Sequence, residues 1–411
     1  MSEEGRSGPP AWAPASVAAA PRHGVATAAE LQSGESWTAL LDALRRVGDA
    51  LAGTPPGELP GAYRHLLVLA ALGIDEALRA GGDAYDPHIS LGNVDAVLKW
   101  GMDCPDALYS GASVRSGAEY RITGTRGTAR YLGFQVMGGM ETLANAVGDD
   151  LDVAADGTFE LVLSADERPG NWLRLADRAS TLIIRQFFYD WNAEVPAALS
   201  IERVGGGAAP AATTADEGTA MARRLVALGE FIEASQTFWQ DIEAAGRAQG
   251  VNSFREPANR TDIGGAEENV TVWGSYELAD DEALIIEVTP PEALYWSITL
   301  GDPWWKSVDY ANHQSSLNGA QALLDSDGVF RAVVASRDPG VANWLDPAGS
   351  GHGPMIVRWL RAAATPVPKC TVVPYGDLDM LLPSDTARVD AATRQATIAR
   401  RRAGVRRRFR R

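Results

Sequence analysis

Two stretches of this chain gather residue types that can do chemistry. The first, "GDPWWKSVDYANHQSSLN" at 301–318, places Trp304, Trp305, Lys306, Asp309, Tyr310 and His313 in one loop-like segment. Aromatic faces beside hydrogen-bonding groups suit sugars and flat hydrophobic molecules, and histidine is the side chain that gives or takes a proton near neutral pH. The second, "WGMDCPDALYS" at 100–110, sets Asp103 and Asp106 close enough to share a site, with Tyr109 able to orient a substrate. Paired carboxylates divide into acid and base only where burial separates their pKa values. Both stretches also admit a structural reading, in which Trp304 and Trp305 cap a sandwich edge and Asp103 caps a turn.

Arg185 in "TLIIRQF" and Arg358 in "MIVRWL" each interrupt an apolar strand. An unpaired guanidinium there is costly, so each must meet a carboxylate, backbone carbonyls or a ligand anion. A structural salt bridge common to both strands is the first expectation, and a clamp on a substrate carboxylate the second. Local signatures of other chemistries are missing. The five histidines show no His-x-His or His-x-x-x-His spacing, and the two cysteines, Cys104 and Cys370, are far apart. No nucleophile elbow or phosphate loop is written. "GSGHG" at 349–353 lacks the strand context of a dinucleotide fingerprint, and "DSDG" at 325–328 lacks the twelfth-position glutamate of a calcium loop. No metal and no cofactor are expected.

The elements that must position these residues alternate in large blocks. Residues 36–53 place Trp37, Leu40, Leu41, Leu44, Val47 and Leu51 at helical spacing behind Ser36, and a second helix is predicted from about Gly61 to Ala80. Short β-rich runs punctuated by glycine follow from about residue 103. "GGGAAPAATTADEG" at 205–218 reads as a linker, residues 218–248 return to a helical stripe, and β texture resumes near residue 268. Blocks of this kind argue against a doubly wound parallel sheet.

The two β blocks are one module written twice. Asp156-Gly157-Thr158-Phe159 matches Asp327-Gly328-Val329-Phe330, Asn171-Trp172-Leu173 matches Asn343-Trp344-Leu345, and Arg185 matches Arg358, at offsets of 171, 172 and 173 residues. Upstream, "ARYLGFQV" faces "ALYWSITL" at an offset of 164. Ordered matches with so little drift mark an internal duplication. A tryptophan fixed behind each Pro-Gly turn is expected to anchor its loop by burying its ring.

The pattern "DCPDALYSGASV … YRITG … GNWL … LIIRQFFYDW", with its second copy, resembles the bacterial family called domain of unknown function 1214, often paired with family 1254. The resemblance spans roughly residues 60–385, and its most specific part is Asn-Trp-Leu with the arginine strand after it. It implies two jelly-roll-like β-sandwiches with an attached helical portion, and it brings no reaction. The arginine-rich tail and the N-terminal leader depart from the family pattern.

The expected fold is therefore mainly β with helical segments (α+β, multidomain). Its divisions are a disordered leader (1–34), a helical segment (35–100), a first β-sandwich (101–204), a linker (205–217), a helical insert (218–250), a second β-sandwich (251–385) and a basic tail (386–411). A hydrophobic fraction of 45% with 22% charged residues is that of a globular protein, and the longest apolar run, nine residues at 66–74, is too short to span a membrane. The N-terminal stretch lacks a signal-peptide h-region, so a cytoplasmic location is expected. The net charge of −16 hides nine arginines and no acid within 394–411, which leaves −25 for the rest. So acidic a body argues against nucleic acid as the main partner, except through the tail, whose simplest reading is a solvated, disordered segment.

Three functions stay open at this level. One is an enzyme, a hydrolase or lyase, acting on a small lipophilic or carbohydrate-like molecule in the cleft between the modules with His313, Asp103 and Asp106 as its catalytic groups. Tyr109, Trp304, Trp305, Lys306, Asp309, Tyr310 and Arg358 would then bind the ligand. The second is a non-catalytic ligand- or carbohydrate-binding protein, favoured by the missing nucleophile and metal motifs. The third is an assembly protein in which the paired sandwiches make a homo-oligomer.

Overall fold

The computed structural model describes residues 26–79, 84–92, 94–205 and 214–409. Most of the expected leader and linker, residues 1–25 and 206–213, lies outside the described residues. The rest falls into two compact units, one helical (26–79 with 214–250) and one β-rich (84–205 with 251–409).

The helical unit holds α1 (Ala28–Ser33), α2 (Glu35–Ala50), α3 (Leu59–Arg79) and α4 (Thr214–Ala248). Residues 28–33, expected to be disordered, are helical because Thr27 and Glu30 form a reciprocal capping box. Helix α2 buries Leu40, Ala43 and Val47 on one stripe, and α4 turns Leu228, Ile232, Trp239 and Ile242 inward. At Gly229 a Cβ would stand 3.0 Å from the Ala43 methyl, so a glycine lets α4 lie close on α2. Arg46 of α2 pairs with Glu233 of α4. The helical insert and the N-terminal helices, separate in the sequence reading, thus build one unit, since each has an apolar stripe that needs the other.

The β-rich unit carries the duplication. The first module contains β1 (Ser90–Leu91), β2 (Ala107–Ser113), β3 (Tyr120–Thr125), β4 (Tyr131–Gly138), β5 (Glu141–Val147), β6 (Thr158–Ser164), β7 (Trp172–Arg174), β8 (Thr181–Phe187) and β9 (Ala198–Arg203). The second contains β10 (Ser253–Phe254), β11 (Ala258–Asn259), β12 (Asn269–Glu277), β13 (Glu282–Val288), β14 (Ala293–Leu300), β15 (Ser316–Asn318), β16 (Phe330–Ala335), β17 (Trp344–Leu345), β18 (His352–Ala362) and β19 (Lys369–Pro374). The inner sheets run β1-β2-β8-β4-β5 and β10-β12-β18-β14-β15, with β11 added on β12; the outer sheets run β7-β6-β3-β9 and β17-β16-β13-β19. Strand for strand the two orders agree, and each module is a sandwich. Leu132, Phe134, Leu161, Leu163, Leu182 and Ile184 fill the first core, and Val272, Leu284, Ile298, Val334, Val357 and Trp359 the second.

The repeated Asn-Trp-Leu does the same work in both copies. Asn343 donates from Nδ2 to the carbonyls of Leu323 (2.6 Å) and Arg331 (2.9 Å), and its Oδ1 accepts from Leu323 N (3.0 Å). Asn171 donates to Asp152 O and Glu160 O and accepts from Asp152 N. Trp344 donates from Nε1 to Ala335 O, Trp172 to Ser164, and Leu173 and Leu345 enter the two cores. One amide thereby closes a loop against the strand that β7 or β17 pairs with in parallel.

Beyond β19 come α5 (Leu378–Leu381) and α6 (Ala391–Phe409). The expected solvated tail is instead a packed helix. Arg394, Arg401 and Arg408 stand seven residues apart on one face, and all three are buried. Arg394 bonds Asp338, Val341 O and Gln314; Arg401 bonds Tyr310 O and Ser316; Arg408 bonds Pro105 O. Their guanidinium planes cover Trp344 and Trp191 at 4.6–5.1 Å. Carbonyls and rings, more than carboxylates, hold the arginines, which is why charge counting pointed to solvent.

Asn343→Ala is expected to lower the unfolding free energy by about 2–4 kcal/mol, since it strands two carbonyls and an N–H around a buried side chain. Asn171→Ala, at a partly exposed site, should cost less. Urea unfolding followed by tryptophan fluorescence measures both, and an unchanged midpoint for Asn343→Ala would remove the closing role assigned to this amide.

Candidate functional site

Strand alternation decides what each inner sheet shows on the face away from its own core. In the second module that face carries a row running across four strands in register, Thr271, Arg358, Ser297 and Asn318. Beside it lie Asn269, Leu360 and Tyr295 on one side, and Trp273, Ile356, Thr299 and Ser316 on the other. Such alternation normally marks a solvent face, yet Ser297, Thr299 and Asn318 have no exposed surface. The first module shows Tyr109, Arg185 and Gly133 in one row and Ala107, Phe187 and Tyr131 in the next. Gly133 is required there, because a Cβ would stand 2.1 Å from the Tyr131 hydroxyl.

These two faces meet. Ala107, Tyr131 and Phe187 pack with Tyr295 and Leu360, and the rings of Phe187 and Tyr295 lie 5.0 Å apart. Arg185 donates from Nη2 to Gly264 O at 2.6 Å, Gln135 and Thr142 reach Gly265 O, and Asn145 and Tyr131 reach Glu268. Burial pushes the Glu268 carboxyl up.

The segment 99–106, which leads into β2, seals one side of the layer. Asp103 accepts from Ser307 N (3.0 Å) and Ser307 Oγ (2.8 Å). Burial pushes its carboxyl up, opposed by the Lys99 charge and the Ser307 bonds. Lys99 is pushed down by burial, donates to the carbonyls of Ser307 and Val308, and sits 4.2 Å over the Tyr310 ring. Asp106 accepts from Trp191 Nε1 (2.6 Å), Asn318 Nδ2 (2.9 Å) and Tyr295 Oη (2.5 Å). Cys104 and Tyr295 share a hydrogen bond, and Cys104 N donates to Tyr109 Oη. Burial raises the Cys104 thiol and takes the Tyr109 phenol to about 12, so both are neutral at ordinary pH. Met102 and Trp305 bond through their backbones at 2.9 Å, and both hold left-handed φ angles, 53° and 55°. Strain of this kind persists only where the surroundings fix it.

The structure thus gathers Asp103, Asp106, Tyr109 and Arg358 around one layer but leaves His313 apart. His313 Nδ1 pairs with Asp346 Oδ2 at 2.8 Å, and no hydrogen bond or ion pair joins it to Asp103 or Asp106. Trp304, Trp305 and Tyr310 are buried, Trp305 edge-on against Trp273 at 5.2 Å, so the loop 301–318 offers no open aromatic platform. Lys306 pairs with Asp302, and Asp309 caps the turn at Ala311 and Asn312. The salt bridge expected for both strand arginines is also not formed. Arg358 donates to Met102 O and Thr299 Oγ1, Arg185 to Gly264 O, and neither meets a carboxylate. Loop carbonyls are the acceptors, which strand spacing does not reveal. Ser297, Thr271, Asn269 and Trp273 had no sequence signal beyond their alternation. Among the described residues no group of three or more His, Cys, Asp or Glu side chains is placed to hold a metal ion, and no helix is long and apolar enough to cross a membrane.

Comparison with other proteins finds one family and two solved structures to report. Residues 275–364 match the family described as "Protein of unknown function (DUF1214)". An uncharacterized protein from Burkholderia cenocepacia is 33% identical with a TM-score of 0.78, over 85% of this chain and 100% of that one. A Vibrio parahaemolyticus protein gives 12% identity and a TM-score of 0.44, over 76% of this chain and 98% of that one. No curated protein matches the chain.

Asp106→Asn replaces an acceptor of three donors by an amide that points a donor at one of them. It is expected to destabilise the β-rich unit by about 3 kcal/mol, read as a lowered urea midpoint. A variant as stable as the parent would show that the carboxylate does not hold these segments together.

Proposed function

The chain belongs to the DUF1214 family of proteins of unknown function, and from that premise we propose that it is a binding protein for a small molecule seated between its two inner sheets. One observation carries the reading. The buried polar atoms in this layer without a hydrogen-bond partner among the described residues include these four: Arg185 Nη1, Ser297 Oγ, Asn269 Oδ1 and Trp273 Nε1. Buried polar groups are almost always paired, and each unpaired one costs about 1–3 kcal/mol. Four in a single layer, on strands held rigid by two sandwiches, are the donors and acceptors that a ligand would complete. Tyr109, Ile183 and Arg185 keep part of their surface free, which supports space beside them.

A hydrolase or lyase is the second reading, favoured by the raised carboxyl of Asp103 and by the imidazole that Asp346 orients. That His313 bonds neither Asp103 nor Asp106 weighs against their acting together. Carbohydrate binding through Trp304 and Trp305 is disfavoured by their burial.

Thermal unfolding of the full chain against sugars, aromatic and aliphatic acids and amides, sterols and divalent metals tests the proposal. A ligand of the native state at one hundred times its Kd adds about 2.7 kcal/mol, so at least one class should raise the midpoint by several degrees. Trp273→Ala should abolish the shift and His313→Ala should preserve it. No shift in any class, or a shift lost with His313→Ala alone, would end this reading.

A further inference from the structure

Arg185 and Arg358 occupy equivalent places, the central strand of each inner sheet, and both turn into the shared layer. Neither guanidinium is hydrogen-bonded to a carboxylate, although the buried Asp103 charge acts on Arg358. Burial lowers the pKa of Arg185, and the Arg358 charge pushes it the same way, so the two arginines stand near enough to repel. The groups around them do not bond them as an anion would. Cys104, Tyr109 and Tyr131 are neutral at ordinary pH. The carboxyl groups around the layer bond neutral donors, Asp106 three of them, Asp103 Ser307, and Glu268 Asn145 and Tyr131, and none is hydrogen-bonded to either arginine. A cation pair taken from water without a counter-ion costs several kcal/mol per ion. An anion between the two guanidinium groups would pair both directly.

We propose that the ligand carries a carboxylate, held between Arg185 and Arg358 with the Ser297 hydroxyl donating to it, while its apolar body lies along Trp273 and Ile356. This rests on the reading above that the layer is a ligand site. The free Nη1 of Arg185 supplies a donor from one sheet, and Ser297, in register beside Arg358, supplies one from the other. A guanidinium fork matches a planar carboxylate, and a flat group suits a space between sheets packed about 10 Å apart. Phosphate and sulfate share the charge but are tetrahedral, so the test separates them.

Calorimetric titration of the full chain with benzoate, cyclohexanecarboxylate and octanoate, each beside its own amide and beside inorganic phosphate and sulfate, decides the matter. At least one carboxylate should bind tenfold or more tightly than its amide. Arg185→Gln should erase that preference, Arg185→Lys should keep part of it, and Ser297→Ala should weaken the carboxylate several-fold while the amide stays unchanged. Should Arg185→Gln fail to fold, the acid-to-amide comparison on the parent and the Ser297→Ala variant still decide. Acids and amides binding alike would overturn the carboxylate and leave the ligand site standing, as would binding of phosphate or sulfate alone. No binding in any series would overturn both.

Discussion

Asp106 accepts three hydrogen bonds where no water reaches, and the joining of the two modules depends on it. Its donors come from the turn after β8, from β14 and from β15, so one carboxylate on the approach to β2 ties three separated pieces of chain. A buried carboxylate is costly, and only complete pairing offsets that cost. Pairing this dense also fixes position. Tyr295 reaches Asp106 and Cys104 together, and Trp191 reaches Asp106 with its ring under Arg401 and Arg408.

Duplication gives this constraint its form. Each sandwich fills its core from one face of its inner sheet and must cover the other face. Meeting like face to like face solves the burial for both copies at once, and it also brings both inherited arginines into the same layer. An arginine at that place could be neutralised within its own module by a carboxylate on a neighbouring strand. The neighbours of Arg358 are Thr271 and Ser297, and those of Arg185 are Tyr109 and Gly133. With neutral neighbours on the adjoining strands in both copies, each arginine turns to a loop carbonyl instead.

Much of the fold was legible in the sequence, because apolar periodicity and turn residues act locally. The repeated Asn-Trp-Leu disclosed the duplication, and the helices at 36–53 and 218–248 followed from their stripes. The site was less legible, for two physical reasons. Polar residues at alternate positions of β12 and β14 look the same whether they face water or a second sheet, so Ser297 and Thr271 carried no mark. Trp304 and Trp305 look the same in a binding loop or in a packed one, and only the third dimension buries them. His313 was placed with Asp103 and Asp106 by residue type alone, whereas its partner, Asp346, lies 33 residues along the chain in another loop.

Helix α6 shows how charge counting misleads when acceptors are neutral. Nine arginines beside an acidic body suggest ion pairs or solvent, yet the three that point inward rest on carbonyls and indole faces, with Asp338 as their one carboxylate partner. A guanidinium is weakly hydrated and flat, so it can leave water for such surroundings more cheaply than an ammonium can. Spacing of seven residues sets the three on one helical face, and that face touches Pro105, one residue from Asp106. The helix therefore backs the segment that orders the layer, and loosening of α6 would reach the layer through Asp106 and Trp191 before it reached either sandwich core.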